Sequence, residues 1–194
     1  MIPLAKLAQI QTAVVFRDQA PQEASNGNVH ALAIRDLVSS IPIEWNNLPK
    51  VEVQEKYLAY CLQPGDVVIP SRGDYYKAWL YTGTTQPVLP VGQINIIRSA
   101  ACLSAGYLVW YLNLKTTQAK LSLMLTGTSI KALTKASLSA VEIEVPDLER
   151  QQRIAEMDQL TRQIAAIRHR LSELDRFEVT QVTNQILNGG GVHA

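Results

Sequence analysis

The chain has 194 residues, of which 47% are hydrophobic and 18% charged, and its formal net charge is +1. That length and hydrophobic fraction suffice for one packed core. Because the net charge is nearly zero, it does not favour any particular class of binding partner. The N-terminus lacks the pattern of a secretory signal, and no apolar run approaches the length of a membrane span. We therefore expect a soluble cytoplasmic protein that does not contact a membrane.

Charge is unevenly distributed along the chain. Residues 56–141 contain eight Lys or Arg and two acids, whereas residues 1–55 contain four basic and six acidic residues. A basic middle segment favours a polyanionic partner, although ordinary solvated surface would give the same count.

The two cysteines, Cys61 and Cys102, lie among apolar neighbours, and neither belongs to a CxxC pair. A zinc site or a disulfide framework would need more cysteines at other spacings. The sequence therefore predicts two buried free thiols.

The first hundred residues predict short strands joined by turns, because short apolar or alternating runs are separated by Gly, Pro and Asn. The predicted strands are 12–16, 29–35, 57–62, 67–69, 78–81 and 94–98. The predicted turns are 26–28 (NGN) and 64–66 (PGD), and a polar, aromatic loop follows the buried strand 67–69.

The pattern becomes helical at Leu103. The stretch LSAGYLVWYLNL predicts a helix with Ser104 as its N-cap. A second helix is predicted over 117–125, then a loop at 126–129, a helical turn within 130–138 and a half-buried strand at 140–145. With no internal repeat, these elements predict one α+β domain, a mixed α/β unit.

The end of the chain predicts a single long helix. Residues 148–187 contain neither Gly nor Pro, Asp147 can cap the start, and three glycines at 189–191 end the pattern. About forty residues would extend roughly 60 Å. Apolar side chains recur in alternating steps of three and four, as in the a/d positions of a coiled coil, at Met157, Leu160, Ile164, Ile167, Leu171 and Leu174.

This apolar stripe needs a partner. The partner is either the same helix of a second copy or the globular part of the same chain. We expect the first, which makes the chain a dimer joined through its C-terminal helix.

Catalytic motifs are missing from the sequence. The three histidines lie far apart, and no HExxH, GxSxG, GxxxxGK[ST] or GxGxxG pattern occurs. Glu142 and Glu144 alternate on a predicted strand, as nuclease carboxylates can, but the Asp and Lys that would complete such a site are not found nearby. The sequence therefore predicts a binding module with no catalytic residue, metal or cofactor of its own.

Five stretches, in this order, resemble one half of a type I restriction-modification specificity subunit. They are 31–37 (ALAIRDL), 62–73 (LQPGDVVIPSRG), 106–113 (GYLVWYLN), 127–138 (GTSIKALTKASL) and 141–154 (VEIEVPDLERQQRI). The last is the most specific, because the family typically enters its spacer helix through P-x-L-x-x-Q-x-x-I, here Pro146, Leu148, Gln151 and Ile154. Family members usually carry two recognition domains and two spacer helices, and this chain has one of each.

The resemblance implies a target recognition domain at 1–146, a spacer helix at 147–188 and a flexible tail at 189–194. It also implies a non-catalytic subunit that binds double-stranded DNA and recruits adenine methyltransferase (M) subunits, with or without a nuclease (R) subunit. S-adenosylmethionine would belong to the M subunit. An antiparallel coiled coil in a homodimer would set two identical domains at opposite ends, to read a bipartite palindromic site.

Base readout calls for Arg, Lys, Asn or Gln on a loop that can enter the major groove, and phosphate contact calls for Lys, Arg, Ser, Thr or a backbone N–H. The first predicted set is loop 71–77, with Arg72, Tyr75, Tyr76 and Lys77. The second is loop 126–131, with Thr128, Ser129 and Lys131, and the third is Arg35 and Arg98 at strand ends. For each of these residues the alternative is a surface charge paired locally. For the whole protein the alternatives are a coiled-coil adaptor that never touches DNA and a nuclease with an unconventional site.

Overall fold

The computed structural model describes residues 1–16, 21–38, 42–73, 76–126 and 131–189, without the side chains of residues 188 and 189. The strands are β1 Ile2–Pro3, β2 Ala8–Thr12, β3 Val29–Leu32, β4 Lys50–Val51, β5 Val67–Pro70, β6 Trp79–Leu80, β7 Val88–Pro90, β8 Ile94–Ser99 and β9 Glu142–Ile143. The α-helices are α1 Ile34–Leu37, α2 Ala105–Asn113, α3 Lys115–Leu123, α4 Lys135–Ser139 and α5 Leu148–Gly189. Short 3-10 helices cover Leu4–Lys6, Trp45–Asn47 and Glu55–Tyr60.

The chain divides into two compact units, Met1–Glu156 and Met157–Ala194. The first unit is built on an antiparallel four-stranded sheet in the order β2-β8-β5-β6. A three-stranded sheet has the order β4-β3-β7, with β3 parallel to β7, and β1 pairs with β9. This mixed architecture confirms the predicted α+β fold with a long C-terminal helix.

The four-stranded sheet is covered on both faces. Val67 and Ile69 of β5 belong to a core shared with helices α2, α3 and α4, whereas Val68 belongs to a second core shared with β3, β7 and α1. A strand buried on both faces has a continuous apolar sequence, which explains why β5 was readable as a buried strand.

Several predicted elements are confirmed. The strands at 67–69 and 94–98 are β5 and β8, and the two helices after Leu103 are α2 and α3. The Ser104 hydroxyl accepts a hydrogen bond from the Tyr107 N–H at 3.4 Å, so Ser104 is the N-cap of α2. The helical turn predicted within 130–138 is α4, and the strand predicted at 140–145 is the short β9.

Three strand predictions are wrong in part or in full. The segment 57–62 is largely a 3-10 helix. The strand 29–35 ends at Leu32, because the Asp36 carboxylate accepts the Ala33 N–H at 2.8 Å and starts the short helix α1. The strand 12–16 is displaced toward the N-terminus, since β2 pairs with β8 only as far as Thr12.

The prediction for the cysteines is also corrected. Both are free thiols, but Cys61 is only half-buried and Cys102 is exposed. Cys102 lies in the turn that precedes α2, and its backbone carbonyl accepts a hydrogen bond from the Gln151 side chain. Burial raises the pKa of the Cys61 thiol.

The start of α5 is held in the first unit by polar contacts. Asp147 caps the helix, with its Oδ1 accepting the Arg150 N–H at 2.9 Å. The fully buried Gln151 accepts the Ser104 N–H at 2.8 Å and donates to the Cys102 carbonyl at 3.1 Å and the Pro146 carbonyl at 2.8 Å. A single amide therefore links the first turn of α5 to the turn before α2.

Apolar packing reinforces this link. Ile154 packs against the core that the four-stranded sheet forms with helices α2, α3 and α4, which we call the helical core. A Cβ added to Gly106 in α2 would lie 3.0 Å from the Cβ of Ala155, so the glycine allows the two helices to approach closely. The contacts of residues 148–156 explain why the first unit extends to Glu156.

Helix α5 has 42 residues in total, which confirms the predicted long C-terminal helix. The six side chains of its heptad stripe are between 48% and 69% exposed. Polar pairs at i,i+4 spacing, such as Asp158 with Arg162 at 2.7 Å, support the helix away from the stripe. Among the described residues, none of the helices combines the length and apolar character needed to cross a bilayer.

We expect Gln151→Ala to lower the free energy of unfolding by roughly 2–4 kcal/mol, because it leaves one N–H and two carbonyls of the buried link without partners. Urea unfolding followed by circular dichroism measures the change. Gln152→Ala removes the same atoms from the exposed neighbouring position and should cost less than about 0.5 kcal/mol. Equal stability of the two variants would contradict the role assigned to Gln151.

Candidate nucleic-acid interface

Two of the predicted loops meet in the structure. Ser71 donates its N–H to the Gln93 carbonyl and accepts the Leu133 N–H, both at 2.9 Å. Arg72 and Thr126 each form an isolated antiparallel bridge with Ala132. We call residues 71–73, 126 and 131–133 the paired-loop surface. Backbone pairing between distant segments thus places the first and second predicted sets side by side.

The paired-loop surface carries two exposed cations, Arg72 and Lys131. Among the residues that the structure describes, no carboxylate lies within ion-pair distance of either side chain. The alternative of a locally paired surface charge therefore finds no support for these two residues in the described part of the chain. A guanidinium and an ammonium exposed on adjoining loops suit phosphate or base-edge contact.

Tyr76 and Lys77 lie at the far end of the first loop. The Tyr76 side chain is 4% exposed, packs in the helical core and donates its hydroxyl to the Lys131 carbonyl at 3.3 Å. The Lys77 ammonium lies 3.9 Å from the centroid of the Trp79 ring. The predicted DNA contact of Tyr76 stays a prediction, but the structure places this ring in the core, where it connects the two loops.

The sequence did not single out the two amides that hold the end of this loop. Asn113 donates to the Ala78 carbonyl and accepts the Ala78 N–H, both at 2.9 Å. Gln118 donates to the Tyr76 carbonyl at 2.9 Å and to the Leu112 carbonyl at 2.6 Å. A weak signal was available for Asn113, because Asn at the end of an apolar helical segment often bonds to backbone groups.

Arg98 is used in an ion pair with the buried Asp66. Its Nε and Nη2 each donate to the Asp66 carboxylate at 2.8 Å, and Asp66 is 1% exposed. The same carboxylate accepts the Gln63 N–H at 2.8 Å, and its hydrogen bonds raise the pKa of the Arg98 guanidinium. Because Val67 pairs with Ile97, Arg98 lies at the opposite end of β5 from Arg72.

Arg35 is separate from the paired-loop surface as well. The prediction placed it at a strand end, but it lies in helix α1. Its guanidinium is exposed and lies 3.5 Å from Glu23 and 3.8 Å from Asp36. The DNA contacts predicted for Arg35 and Arg98 stay predictions, and the structure does not bring these residues together with the two loops.

Three of the predicted DNA-binding residues, Tyr75, Thr128 and Ser129, lie outside the described residues. Within the described ranges, no group of three or more His, Cys, Asp or Glu side chains is placed to hold a metal ion.

Solved structures with the same fold come from type I restriction-modification systems. One, described as the structural basis of complex assembly and conformational transition of the type I R-M system, has a TM-score of 0.63 at 19% identity over 96% of this chain. The HsdS subunit from Thermoanaerobacter tengcongensis has a TM-score of 0.61 at 21% identity over 91%. The S subunit from M. genitalium has a TM-score of 0.60 at 12% identity over 94%. The chain spans 44%, 42% and 44% of these three chains, which is less than half of each.

The family of the chain is shown by a match to a family model, because structures of such low sequence identity show only the fold. No curated protein gives a significant match to the sequence. Residues 50–176, more than half of the chain, match the model of the type I restriction modification DNA specificity domain. The match covers β5, β8, the paired-loop surface and the first part of α5. The chain therefore belongs to the family of type I restriction-modification specificity subunits, which are non-catalytic.

Proposed function

We propose that this chain is a half-length DNA specificity subunit, which acts as a homodimer, reads a bipartite palindromic site and positions methyltransferase subunits on it. The observation that carries the proposal is the paired-loop surface, where Arg72 and Lys131 lie exposed on adjoining loops in a domain of the specificity family. The basic balance of residues 56–141 supports the same partner, because duplex DNA is a polyanion.

The proposed division of work follows from side-chain chemistry. Arg72 presents a planar fork of donors, which suits the O6 and N7 acceptors of guanine in the major groove. Lys131 offers a single charged group, which suits a phosphate. Lys77 joins them as a proposed phosphate contact, with Tyr75, Thr128 and Ser129 as further proposed contacts and Arg35 and Arg98 as more distant ones.

The proposed dimer rests on the exposed heptad stripe of α5. Six apolar side chains, each about half exposed or more, form a seam of coiled-coil spacing that is unfavourable in water. The chain spans less than half the length of each of its structural relatives. In an antiparallel pair, two identical domains related by a two-fold axis would face two half-sites of opposite orientation.

The proposed partners complete the activity. An adenine methyltransferase must flip its target base out of the helix, and this requires a duplex that is held in register. The two specificity domains would supply that hold, while the M subunits would supply the catalytic residues and S-adenosylmethionine. An R subunit would add cleavage without changing the role of this chain.

A binding experiment on the full chain tests the DNA proposal. The preferred duplex is first selected from a pool of random sequences, and binding of the labelled duplex is then followed by fluorescence anisotropy at several salt concentrations. We expect Arg72→Ala to weaken binding by about 1–3 kcal/mol and to relax one position of the site, and Lys131→Ala to reduce the salt slope by about one. Arg176→Ala removes the same charge from an exposed α5 position off the stripe and should leave both unchanged.

Three results would count against this proposal. Binding of the parent chain that is independent of salt, or no binding to any duplex, would favour the adaptor alternative. Equal affinities of Arg72→Ala and Arg176→Ala would remove Arg72 from the interface.

A substitution in the stripe tests the dimer. Leu171→Glu places a charge at an a position of the seam, so we expect light scattering to give the mass of one chain, against twice that mass for the parent. Ser172→Glu adds the same charge beside the seam and should remain dimeric. A dimer of Leu171→Glu as stable as that of Ser172→Glu would show that the stripe is not the interface.

A further inference from the structure

The loop that bears Arg72 is anchored at both ends by hydrogen bonds. At its beginning, Ser71 is paired through its backbone with Gln93 and Leu133. At its end, both backbone groups of Ala78 are paired with the Asn113 amide, and the Tyr76 carbonyl accepts from Gln118. The first anchor is backbone pairing, whereas the second depends on two side chains.

The two side chains of the second anchor belong to helices that pack in the core. Asn113 is the last residue of α2, and Gln118 lies in α3. Leu108 and Leu112 of α2 and Leu121 of α3 are fully buried in the helical core. Because these buried leucines hold both helices against the core, the two amides can fix the backbone of residues 76–78 with little freedom.

Gln118 also serves a second purpose. Its amide nitrogen donates to the Leu112 carbonyl, which lies in the last turn of α2, where carbonyls lack helical partners. The same nitrogen donates to the Tyr76 carbonyl. One NH₂ group therefore connects the α2–α3 junction to the loop. The Tyr76 hydroxyl in turn donates a hydrogen bond to the Lys131 carbonyl.

From this geometry we infer that Asn113 and Gln118 are positioning residues for sequence readout, acting through the loop that bears Arg72. The inference deepens the proposed function and rests on it. A bidentate contact with a base requires both hydrogen bonds at once, so a small displacement of the loop loses it. Contact with a phosphate tolerates such displacement, because it depends mainly on charge. Loosening the anchor should therefore reduce discrimination between sequences more than it reduces affinity for DNA in general.

The test compares two Gln→Met variants. Gln118→Met removes both donated hydrogen bonds with little change in size or charge, and Gln152→Met makes the same change at an exposed position of α5. For the full chain, we measure the ratio of affinities for the selected duplex and a scrambled duplex, together with the salt slope. We expect Gln118→Met to reduce the ratio by about tenfold with an unchanged salt slope, and Gln152→Met to change neither.

A double-mutant cycle with Arg72→Ala separates positioning from general destabilisation. If Gln118 acts through Arg72, Gln118→Met should reduce the ratio by less than about twofold in the Arg72→Ala background. The inference would be overturned if Gln118→Met reduced the affinity ratio by the same factor with and without Arg72→Ala, or if it left the ratio of the parent chain unchanged.

Asn113→Ser provides a second variant, decisive if Gln118→Met fails to fold. It should lower the same ratio and accelerate hydrogen exchange of the Ala78 amide, whose acceptor is the Asn113 side chain. Slow exchange of that amide in the variant would overturn the anchoring itself. A parent chain that prefers no duplex would overturn the proposed function, and the exchange measurement would still decide whether Asn113 holds the loop.

Discussion

The buried amide of Gln151 is the contact on which the first unit depends most directly. It accepts the N–H at the cap of α2 and donates to two carbonyls, one in the turn before α2 and one just before α5. A buried amide with both ends paired is specific in direction, because any shift leaves a polar group unsatisfied. The P-x-L-x-x-Q-x-x-I pattern and the glycine of GYLVWYLN acquire a physical meaning here, since Gln151, Ile154 and Gly106 all lie at the contact between α2 and the first turns of α5.

The candidate interface follows from how α2 and α3 lie against the four-stranded sheet. The sheet brings Ser71, at the end of β5, beside Gln93 at the start of β8, and the segment after residue 130 is added to that edge through Leu133. The two helices then supply the amides that hold residues 76–78. The exposed cations are therefore supported by secondary structure from four separate parts of the chain, which only the folded unit brings together.

Local signals carried much of the fold, and non-local contacts account for what they missed. The cap residues Ser104 and Asp147, the doubly buried strands and the heptad spacing of α5 each depend on neighbours in sequence, and each was predictable. The burial of Tyr76, the ion pair of Arg98 and the amide anchors depend on partners 32 to 55 residues away. Residue type alone could not show that Arg98 pairs with the buried Asp66, because its partner lies 32 residues away in the sequence.

Gln93, Leu133, Asn113 and Gln118 anchor the Arg72 loop through main-chain atoms of its described residues. Ser71, Tyr76 and Ala78 are held through their N–H and carbonyl groups, and the Arg72 and Lys131 side chains form none of the hydrogen bonds that hold the loop in place. The residues at those positions are thus free to diversify without loss of the scaffold. If Arg72 reads a base, as proposed, a substitution at this position would alter the preferred sequence and leave the backbone anchors of the loop unchanged.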